Sequence, residues 1–504
     1  MTGFRGRVCF WMTFVAITQT ASGQNLKQFE RTVTEFTLAN GLHFILVERH
    51  EAPEISFRTW VDAGSAEDPA GATGLAHMLQ RVAYKGTETI GTADWAMEKK
   101  ALDAVEEASD QLQAERNKGP RADSAKLDIL RLELGSAAER AQSYGRSSQF
   151  SAILENNGAD ELKAAASFDH IEFFCNLPSN RVELWFLMES QRLQTPVFRQ
   201  FYFEREAALG EERTTVESNA LGLLMRDLLA TAFVAGPFHN PALGWPGDIA
   251  ELRTEQAREF LEKYFVPANM VMTLVGDLNP EECRKLAERY FGPLRARPAP
   301  PQPHIAEPPQ LGPRTVELDV PAPPLLAYGF KRPPDTSAED PVFTVMNLIL
   351  TGGRTGWLYK QLVETGRLAV DVRGAAAFPS GRFPCLFTLE ILPARQHITE
   401  DLEKAIDGAL ADFASQRVDG ETLTRAQAMA RMAVLRQLDS NGGIAAALPA
   451  FYATYGDWRK LFSAVADIDK VSADDVQRVA RKYLTPAQRT IAVIAPPAGR
   501  SAVR

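Results

Sequence analysis

This chain contains few histidines and cysteines: seven histidines and four cysteines among 504 residues. These are the residue types that most often bind transition metals or act as nucleophiles. One cysteine lies in an apolar leader. The other three are too few and too widely spaced for a disulfide framework or a zinc ribbon: Cys175, Cys283 and Cys385. The segment that could carry a metal site or a catalytic site is therefore residues 71–87, GATGLAHMLQRVAYKGT. Its apolar spacing predicts a helix from Gly74 to Val82, and this helix carries His77.

This segment, with the predicted hairpin ahead of it, resembles the first domain of the pitrilysin/insulinase family of zinc metallopeptidases, whose bacterial members typically read G-x-x-H-x-x-E-H-x-x-F-K-G-T here. In that motif, two histidines four residues apart share one helical face and bind one zinc ion. The glutamate beside the second histidine acts as general base on the metal-bound water. The resemblance implies that His77 matches the first histidine, Gln80 the catalytic glutamate and Arg81 the second histidine.

A second segment that resembles the family lies further along the chain. Residues 204–213, EREAALGEER, resemble the helix that carries the third zinc ligand, and the resemblance places this ligand at Glu211. The interval from Arg81 to Glu211 is longer than the family usually shows. A helical insertion, described below, accounts for the excess.

Two of these four positions hold side chains that cannot perform the family's chemistry. The amide of Gln80 has no titratable carboxylate and cannot take a proton from water at neutral pH. The guanidinium of Arg81 keeps its positive charge and offers no lone pair to a metal. His77 and Glu211 alone are too few to hold a catalytic zinc ion. We therefore expect no cofactor, and zinc only if the family site survives in an altered form with a replacement ligand from His170, His239 or the acidic residues.

The loss of a metal would leave the carboxylate of Glu211 without a counter-charge. If Glu211 still faces the position of Arg81, a carboxylate and a guanidinium meet where the metal would have been. We therefore predict an ion pair between Arg81 and Glu211. A separation above about 6 Å would contradict it, because that distance is beyond ion-pair contact.

The resemblance also implies a strand that pairs with a bound peptide. Family members usually carry an asparagine–alanine–aromatic–threonine run there, near the position of Ser167 to His170 in this chain. This chain instead has Lys163, Ala164, Ala165 and Ala166. We expect these four residues to line any substrate-binding edge.

Several predicted elements must position these residues. Alternating strands at 36–38 and 43–47 flank Asn40-Gly41, which predicts a hairpin with a type I′ turn. Between 96 and 146, two charged, helix-favouring segments flank a Lys-Gly-Pro break and carry leucines on one face. They predict a helical hairpin inserted into the first unit, either as a packed surface decoration or as a partner-docking arm.

The two parts of the chain end in related sequences. An Asp-Ile pair, a helical stretch, a Lys-Tyr pair and an apolar strand recur at one constant offset, which pairs Asp248 with Asp467 and Lys263 with Lys482. The proline-rich residues 295–313 predict a stiff linker between the parts. We therefore predict an α+β fold of two homologous metallopeptidase-type units, 30–294 and 314–504, each with a mixed or antiparallel sheet covered by helices.

The first residues predict export. Two arginines precede an apolar run from Val8 to Ile17, and small and polar residues follow up to Gln24, which is the form of a secretory signal peptide cleaved after Gly23. About ten apolar residues are too few to span a bilayer, which needs roughly 20. We expect the mature protein to be periplasmic or secreted, and not an integral membrane protein.

Composition and the family resemblance together exclude some classes of function and favour others. The composition is 45% hydrophobic and 24% charged, which excludes bulk disorder, and the net charge of −9 argues against a nucleic-acid partner. Family members often work as pairs in which a degenerate subunit helps a zinc-bearing one to enclose a peptide.

The resemblance therefore implies a catalytically degenerate, non-catalytic subunit, a pseudopeptidase. It would bind a peptide or unfolded polypeptide and pair with an active metallopeptidase or with a second copy of itself. Two alternatives remain open. One is an active zinc metalloendopeptidase with atypical ligands, and the other is a structural peptide-binding protein without a peptidase partner.

Overall fold

The computed structural model describes residues 28–302, 306–394 and 399–494, so the predicted signal peptide lies outside the described residues. The first unit contains, in chain order, β1 (Val33–Thr37), β2 (His43–Glu48), β3 (Glu54–Val61), α1 (Leu75–Val82), α2 (Trp95–Arg116), α3 (Ser124–Tyr144), α4 (Gln149–Asn156), β4 (Asp160–Ala166), β5 (Ile171–Pro178), α5 (Val182–Gln194), α6 (Phe201–Glu212), α7 (Ala220–Ala232), α8 (Pro246–Glu251), α9 (Thr254–Tyr264), β6 (Met270–Gly276) and α10 (Pro280–Phe291).

The second unit contains β7 (Arg314–Leu318), β8 (Leu325–Arg332), α11 (Asp340–Thr351), β9 (Ala369–Phe378), β10 (Cys385–Pro393), α12 (Thr399–Ser415), α13 (Gly420–Arg436), α14 (Asn441–Tyr455), α15 (Lys460–Lys470), α16 (Ala473–Tyr483) and β11 (Arg489–Ile494). Short 3₁₀ and π-helical segments join several of these elements. Every helix in the described ranges is too short or too polar to cross a membrane.

Each unit is built on one mixed sheet. The first sheet has the strand order β1-β2-β6-β3-β5-β4, and the second has β7-β11-β8-β10-β9. All neighbouring strands run antiparallel except β2 with β6 and β7 with β11, which are parallel. Helices cover the sheets and close the hydrophobic cores. The predicted α+β class is therefore confirmed.

The structure also confirms the internal repeat. Helices α9 and α16 begin and end at the same offset that pairs Asp248 with Asp467, and so do the first residues of β6 and β11. By position in the sheet, β2, β6, β3, β5 and β4 correspond to β7, β11, β8, β10 and β9. Only β1 has no counterpart among the described strands of the second sheet.

The two units exchange one helix each across their junction. Helix α7 of the first unit packs on β7, β8 and β11, with Leu228 buried against the second sheet. Its counterpart α14 packs on β3 and β6 of the first sheet, where Leu448 is buried. Each sheet thus buries its second face under a helix from the other unit.

The inserted hairpin is confirmed as α2 and α3, which pack along each other. Arg199 attaches it to the body of the unit. The Arg199 guanidinium is buried, lies 2.6 Å from the carboxylate of Glu98 on α2, and also donates to the carbonyl oxygens of Lys85, Thr87 and Ile90. Since Lys85 follows α1 closely, the insertion is fixed to the segment that carries His77.

The predicted type I′ turn is wrong. Gly41 adopts a positive φ of 97°, but Asn40 does not, and a type I′ turn requires both. The side chain of Asn40 donates to the carbonyl oxygens of Phe291 and Leu294 and accepts from the backbone of Leu42. The chain still makes a tight turn there, closed by the hydrogen bond from the Gly41 N–H to the Leu38 carbonyl oxygen at 2.9 Å, and the Asn40 side chain fixes this turn to the end of α10.

Residues 295–302 and 306–313, the described part of the predicted linker, contain neither helix nor strand. Glu307 anchors this segment. Its carboxylate accepts hydrogen bonds from the backbone of Val234, Ala235 and Gly236 after α7, and forms an ion pair with Lys331 on β8 at 2.6 Å. The linker therefore fastens the end of α7 to the second sheet.

Candidate functional site

Helix α1 is short and almost wholly buried. Its first turn follows Gly74, which has a φ of 89° and lies so close to Leu243 that a side chain there would meet the Leu243 carbonyl oxygen at 2.5 Å. Asp68 caps the helix, because its carboxylate accepts hydrogen bonds from the backbone of Gly74 at 2.7 Å and Ala76 at 2.9 Å. Helix α1 is thereby held with His77 and Arg81 directed towards α6.

Helix α6 presents two carboxylates to α1. Glu204 and Glu211 are seven residues apart, which is two helical turns, so both lie on the same face. Helices α1 and α6 pack against each other. The site is therefore a contact between two helices, and its charges come from both.

The predicted ion pair between Arg81 and Glu211 is confirmed. The Arg81 Nη1 atom lies 2.6 Å from Glu211 Oε2. The same guanidinium donates from Nε and Nη2 to Glu204 Oε2, at 3.0 and 2.8 Å. One arginine therefore bridges both carboxylates of α6.

Glu204 and Lys85 complete the cluster, and the sequence reasoning did not assign them a role. Lys85 Nζ lies 2.6 Å from Glu204 Oε1. Burial alone would raise the pKa of Glu204, but the hydrogen bonds and charges of Lys85 and Arg81 outweigh it and lower this pKa. Two spacings in the sequence could have revealed the cluster. Arg81 and Lys85 are four residues apart, and Glu204 and Glu211 are seven residues apart, which are both spacings that place like charges on the same face of a helix.

His77 lies at the buried end of the cluster. Its side chain is 8% exposed, and Nε2 lies 3.1 Å from Glu211 Oε2. Burial lowers the pKa of His77, and the neighbouring Glu211 only partly opposes this effect. At neutral pH we therefore assign a neutral imidazole that donates from Nε2 to the carboxylate.

The donor set does not fit a zinc ion. Glu211 Oε2, the oxygen nearest to His77, already accepts from the Arg81 guanidinium, which has no lone pair for a metal. Gln80, half-buried on the same helix, offers no carboxylate for proton transfer. Across residues 28–302, 306–394 and 399–494, the structure contains no group of three or more histidine, cysteine, aspartate or glutamate side chains arranged to hold a metal.

The proposed replacement ligands lie elsewhere. His170 stacks on Trp60 with ring centroids 3.6 Å apart, and His239 Nδ1 lies 3.0 Å from the carbonyl oxygens of Ala230 and Phe233. The pKa of His170 is lowered to about 3, chiefly by burial. Both histidines thus have structural partners of their own, away from His77.

Lys163, Ala164, Ala165 and Ala166 lie on β4, at the edge of the first sheet. Helix α1 packs beside this strand, and the hydroxyl of Tyr84 donates to the carbonyl oxygen of Lys163 at 3.0 Å. The strand predicted to bind substrate therefore lies next to the cluster of His77 and Arg81. Its role in peptide binding stays a prediction.

Two family models match the chain in order. The model described as "Insulinase (Peptidase family M16)" matches residues 43–109, and the model described as "Peptidase M16 inactive domain" matches residues 251–430. The first match includes His77, Gln80 and Arg81. The second runs from the end of α8 into α13.

Individual proteins match over nearly the whole length. The chain is 22% identical over 465 residues to "Zinc protease PqqE" of Helicobacter pylori, which covers 91% of this chain and 92% of that protein. It is 22% identical over 473 residues to "Probable mitochondrial-processing peptidase subunit beta, mitochondrial" of Arabidopsis thaliana, which covers 91% and 78%.

A crystal structure of a protease from Helicobacter pylori has the same fold, with a TM-score of 0.76 at 20% identity, and covers 92% of this chain and 99% of that one. The fold, the repeat and the family matches therefore agree with the resemblance drawn from the motif around His77. The chain belongs to the pitrilysin/insulinase-type (M16) peptidase family.

Proposed function

We propose that this protein is a pseudopeptidase: a non-catalytic, peptide-binding member of its family that is exported and works with an active zinc metallopeptidase. The observation that carries the proposal is the pairing of Arg81 with Glu211 at 2.6 Å. A guanidinium at this place repels a divalent cation and occupies the carboxylate that would bind it.

The general-base position supports the same conclusion. Gln80 follows His77 by three residues and has an amide in place of a carboxylate. An amide cannot accept a proton from water at neutral pH. Metal binding and proton transfer would therefore both be missing, and the loss of either one would abolish hydrolysis by the family's mechanism.

Two further observations support binding without hydrolysis. The strand β4 forms an edge of its sheet beside α1, where an extended peptide could add as a further strand. One similar protein is named as the beta subunit of a peptidase, so a place in a multi-subunit peptidase is our preferred role for this chain.

Metal analysis of the purified protein, together with peptide hydrolysis, tests the proposal. We expect less than stoichiometric zinc and no hydrolysis by the protein alone, but measurable binding of an unfolded polypeptide. One zinc ion per chain with hydrolysis would overturn the proposal. It would favour an active peptidase with atypical ligands, the role that the name of the Helicobacter pylori relative suggests.

A reconstruction experiment tests the cause of the loss. We expect Gln80→Glu together with Arg81→His to restore zinc binding, because His77, the new histidine and Glu211 would then form a three-ligand set with one open position. Gln80→Glu alone is the matched control and should bind no zinc, since Arg81 remains. Failure of the double variant to bind zinc would show that the site has decayed beyond these two residues.

A further inference from the structure

A groove separates the inserted hairpin from the body of the first unit. Helices α2 and α9 form its two walls, and residues 193–198 form its floor. Its volume is about 410 Å³, which lies within the range of small-ligand pockets. The groove exists only because the insertion is present, so we call it the insertion groove.

Apolar side chains line part of the floor and both walls of the insertion groove. Trp95 and Leu102 of α2, Phe198 of the floor and Leu261 of α9 all line it, and each is half-buried. The side chains on the α2 wall are spaced four, seven and eight residues apart, which puts them on a single helical face: Trp95, Lys99, Leu102 and Asp103. An occupant would therefore meet apolar and charged side chains side by side on this wall.

The rim of the insertion groove is acidic. Lys99 and Asp103 pair with each other at 3.1 Å, so their charges cancel. The remaining charged side chains of the lining are three carboxylates and one guanidinium: Glu88, Glu106, Glu262 and Arg258. The groove thus keeps an excess of negative charge.

Glu106 is the carboxylate at the inner wall. It accepts hydrogen bonds from the hydroxyl groups of Thr254 and Tyr202, which fix its orientation. It is half-buried, and within the described ranges it forms no ion pair: the positive charge of Arg258 in the same lining acts on it from beyond ion-pair contact. A half-buried carboxylate with no cation in direct contact is a site that a cation would stabilise.

We propose that the insertion groove binds an arginine or lysine side chain of the polypeptide that this protein captures. The inference rests on the proposed peptide-binding function and adds the kind of side chain recognised. The aliphatic stem would lie on Leu102, Phe198 and Leu261, while the cationic head would reach Glu106. The acidic rim would attract such a segment and discriminate against an acidic one.

Fluorescence anisotropy with three short, unstructured, labelled peptides tests the inference. The peptides differ only at central positions, which hold arginine, glutamine or glutamate. We expect the arginine peptide to bind most tightly and to lose affinity at high salt. Glu106→Gln should weaken binding of the arginine peptide about tenfold, because a charge-assisted hydrogen bond is replaced by a neutral one, and should leave binding of the glutamine peptide unchanged.

Glu259→Gln is the matched control, since Glu259 is an exposed carboxylate on α9 outside the groove. Thermal unfolding of both variants verifies that they fold. Equal affinity for the arginine and glutamine peptides, or an unchanged arginine affinity in Glu106→Gln, would overturn the inference while leaving the proposed function in place. Failure of the wild-type protein to bind any of the three peptides, or denatured proteins in general, would overturn both.

A second copy of the chain is the competing occupant. Sedimentation would then show self-association that Leu102→Asp abolishes. Self-association of this kind, without peptide discrimination, would also overturn the inference.

Discussion

Arg81 forms its ion pairs with carboxylates that lie 123 and 130 residues away in the sequence. A zinc ion would have joined the same two helices by drawing ligands from both. The Arg81 guanidinium provides one positive charge, whereas a zinc ion would provide two. The planar N–H donors of the guanidinium satisfy the carboxylate oxygens by hydrogen bonds. With the charge of Lys85 added to that of Arg81, the two carboxylates of α6 are balanced by two positive charges.

Replacement of Arg81 should destabilise the protein. Arg81→Ala leaves Glu204 and Glu211 facing each other, with Lys85 as the nearest cation. Because the Arg81 side chain is 21% exposed and Glu211 is 38% exposed, solvent reduces the effect, and we expect a loss of about 1–2 kcal/mol in the free energy of unfolding. Urea denaturation measures it.

Arg213→Ala is the control for this prediction, since Arg213 is 71% exposed and lies 3.9 Å from Glu217. It should change the free energy of unfolding by less than about 0.5 kcal/mol. Adding Glu211→Gln to Arg81→Ala should restore part of the lost stability, because one unpaired charge is removed. An equal loss of stability in Arg81→Ala and in Arg213→Ala would contradict the prediction.

At the scale of elements, α1 depends on residues outside its own sequence. It has only eight residues, which is too short to be stable in isolation. Packing on α6, α9 and β4 and capping by Asp68 stabilise it. The sequence predicted this helix within one residue, because its apolar spacing matches the face that is buried.

The capping contact can be tested directly. Asp68→Ala removes the acceptor for the backbone of Gly74 and Ala76, and we expect a loss of about 1–2 kcal/mol in the free energy of unfolding. Asp68→Asn keeps one acceptor oxygen and should lose less. Asp128→Ala, at a 72% exposed site on α3, is the control. A fully retained stability in Asp68→Ala would show that packing alone holds α1.

At the scale of the whole molecule, the exchange of α7 and α14 makes each unit depend on the other. Leu228 is fully buried although it belongs to a helix of the first unit that contacts the second sheet. Leu228→Ala should cost about 2–5 kcal/mol and should increase hydrogen exchange in β8 and β11. Leu221→Ala, 38% exposed on the same helix, should have little effect. Increased exchange confined to α7 would contradict this coupling.

The junction also carries a group of carboxylates around one arginine. Arg382, between β9 and β10, lies 3.1 Å from Asp62 and 3.5 Å from Glu67, and donates to the carbonyl oxygen of Asp169 at 2.7 Å. Burial raises the pKa of Glu67 to about 7, and burial also raises the pKa values of Asp62 and Asp169. One guanidinium thus faces one buried and two half-buried acids.

This arrangement predicts a dependence of stability on pH. Because the folded state raises the pKa of Glu67, its contribution to stability is fully present below about pH 4.5 and is lost as the pH rises through about 7. We expect Glu67 by itself to lower the free energy of unfolding by roughly 3 kcal/mol over that window. Glu67→Gln should flatten the curve in urea titrations at several pH values. If the free energy of unfolding changed with pH equally in the wild-type protein and in Glu67→Gln, Glu67 would not be the group responsible.

Much of the architecture could be predicted from the sequence. The inserted hairpin followed from leucines on one face of each helix, and the repeat from the constant offset between matching residues of the two units. These features depend on neighbours along the chain or on duplicated sequence. The Asn40-Gly41 turn could not be predicted correctly, because Asn40 bonds to Phe291, 251 residues away.

The sequence by itself determined which side chains occupy two positions of the family motif: a glutamine, which cannot act as a base, and an arginine, which cannot bind a metal, whatever surrounds them. The tertiary structure decided the rest of the charged cluster: besides the predicted pair with Glu211, Arg81 also contacts Glu204, and Lys85 pairs with Glu204. It also decided that each unit covers the sheet of the other and that the insertion leaves a groove beside α9. These outcomes depend on distances between elements far apart in the chain, and local residue patterns carry no information about such distances.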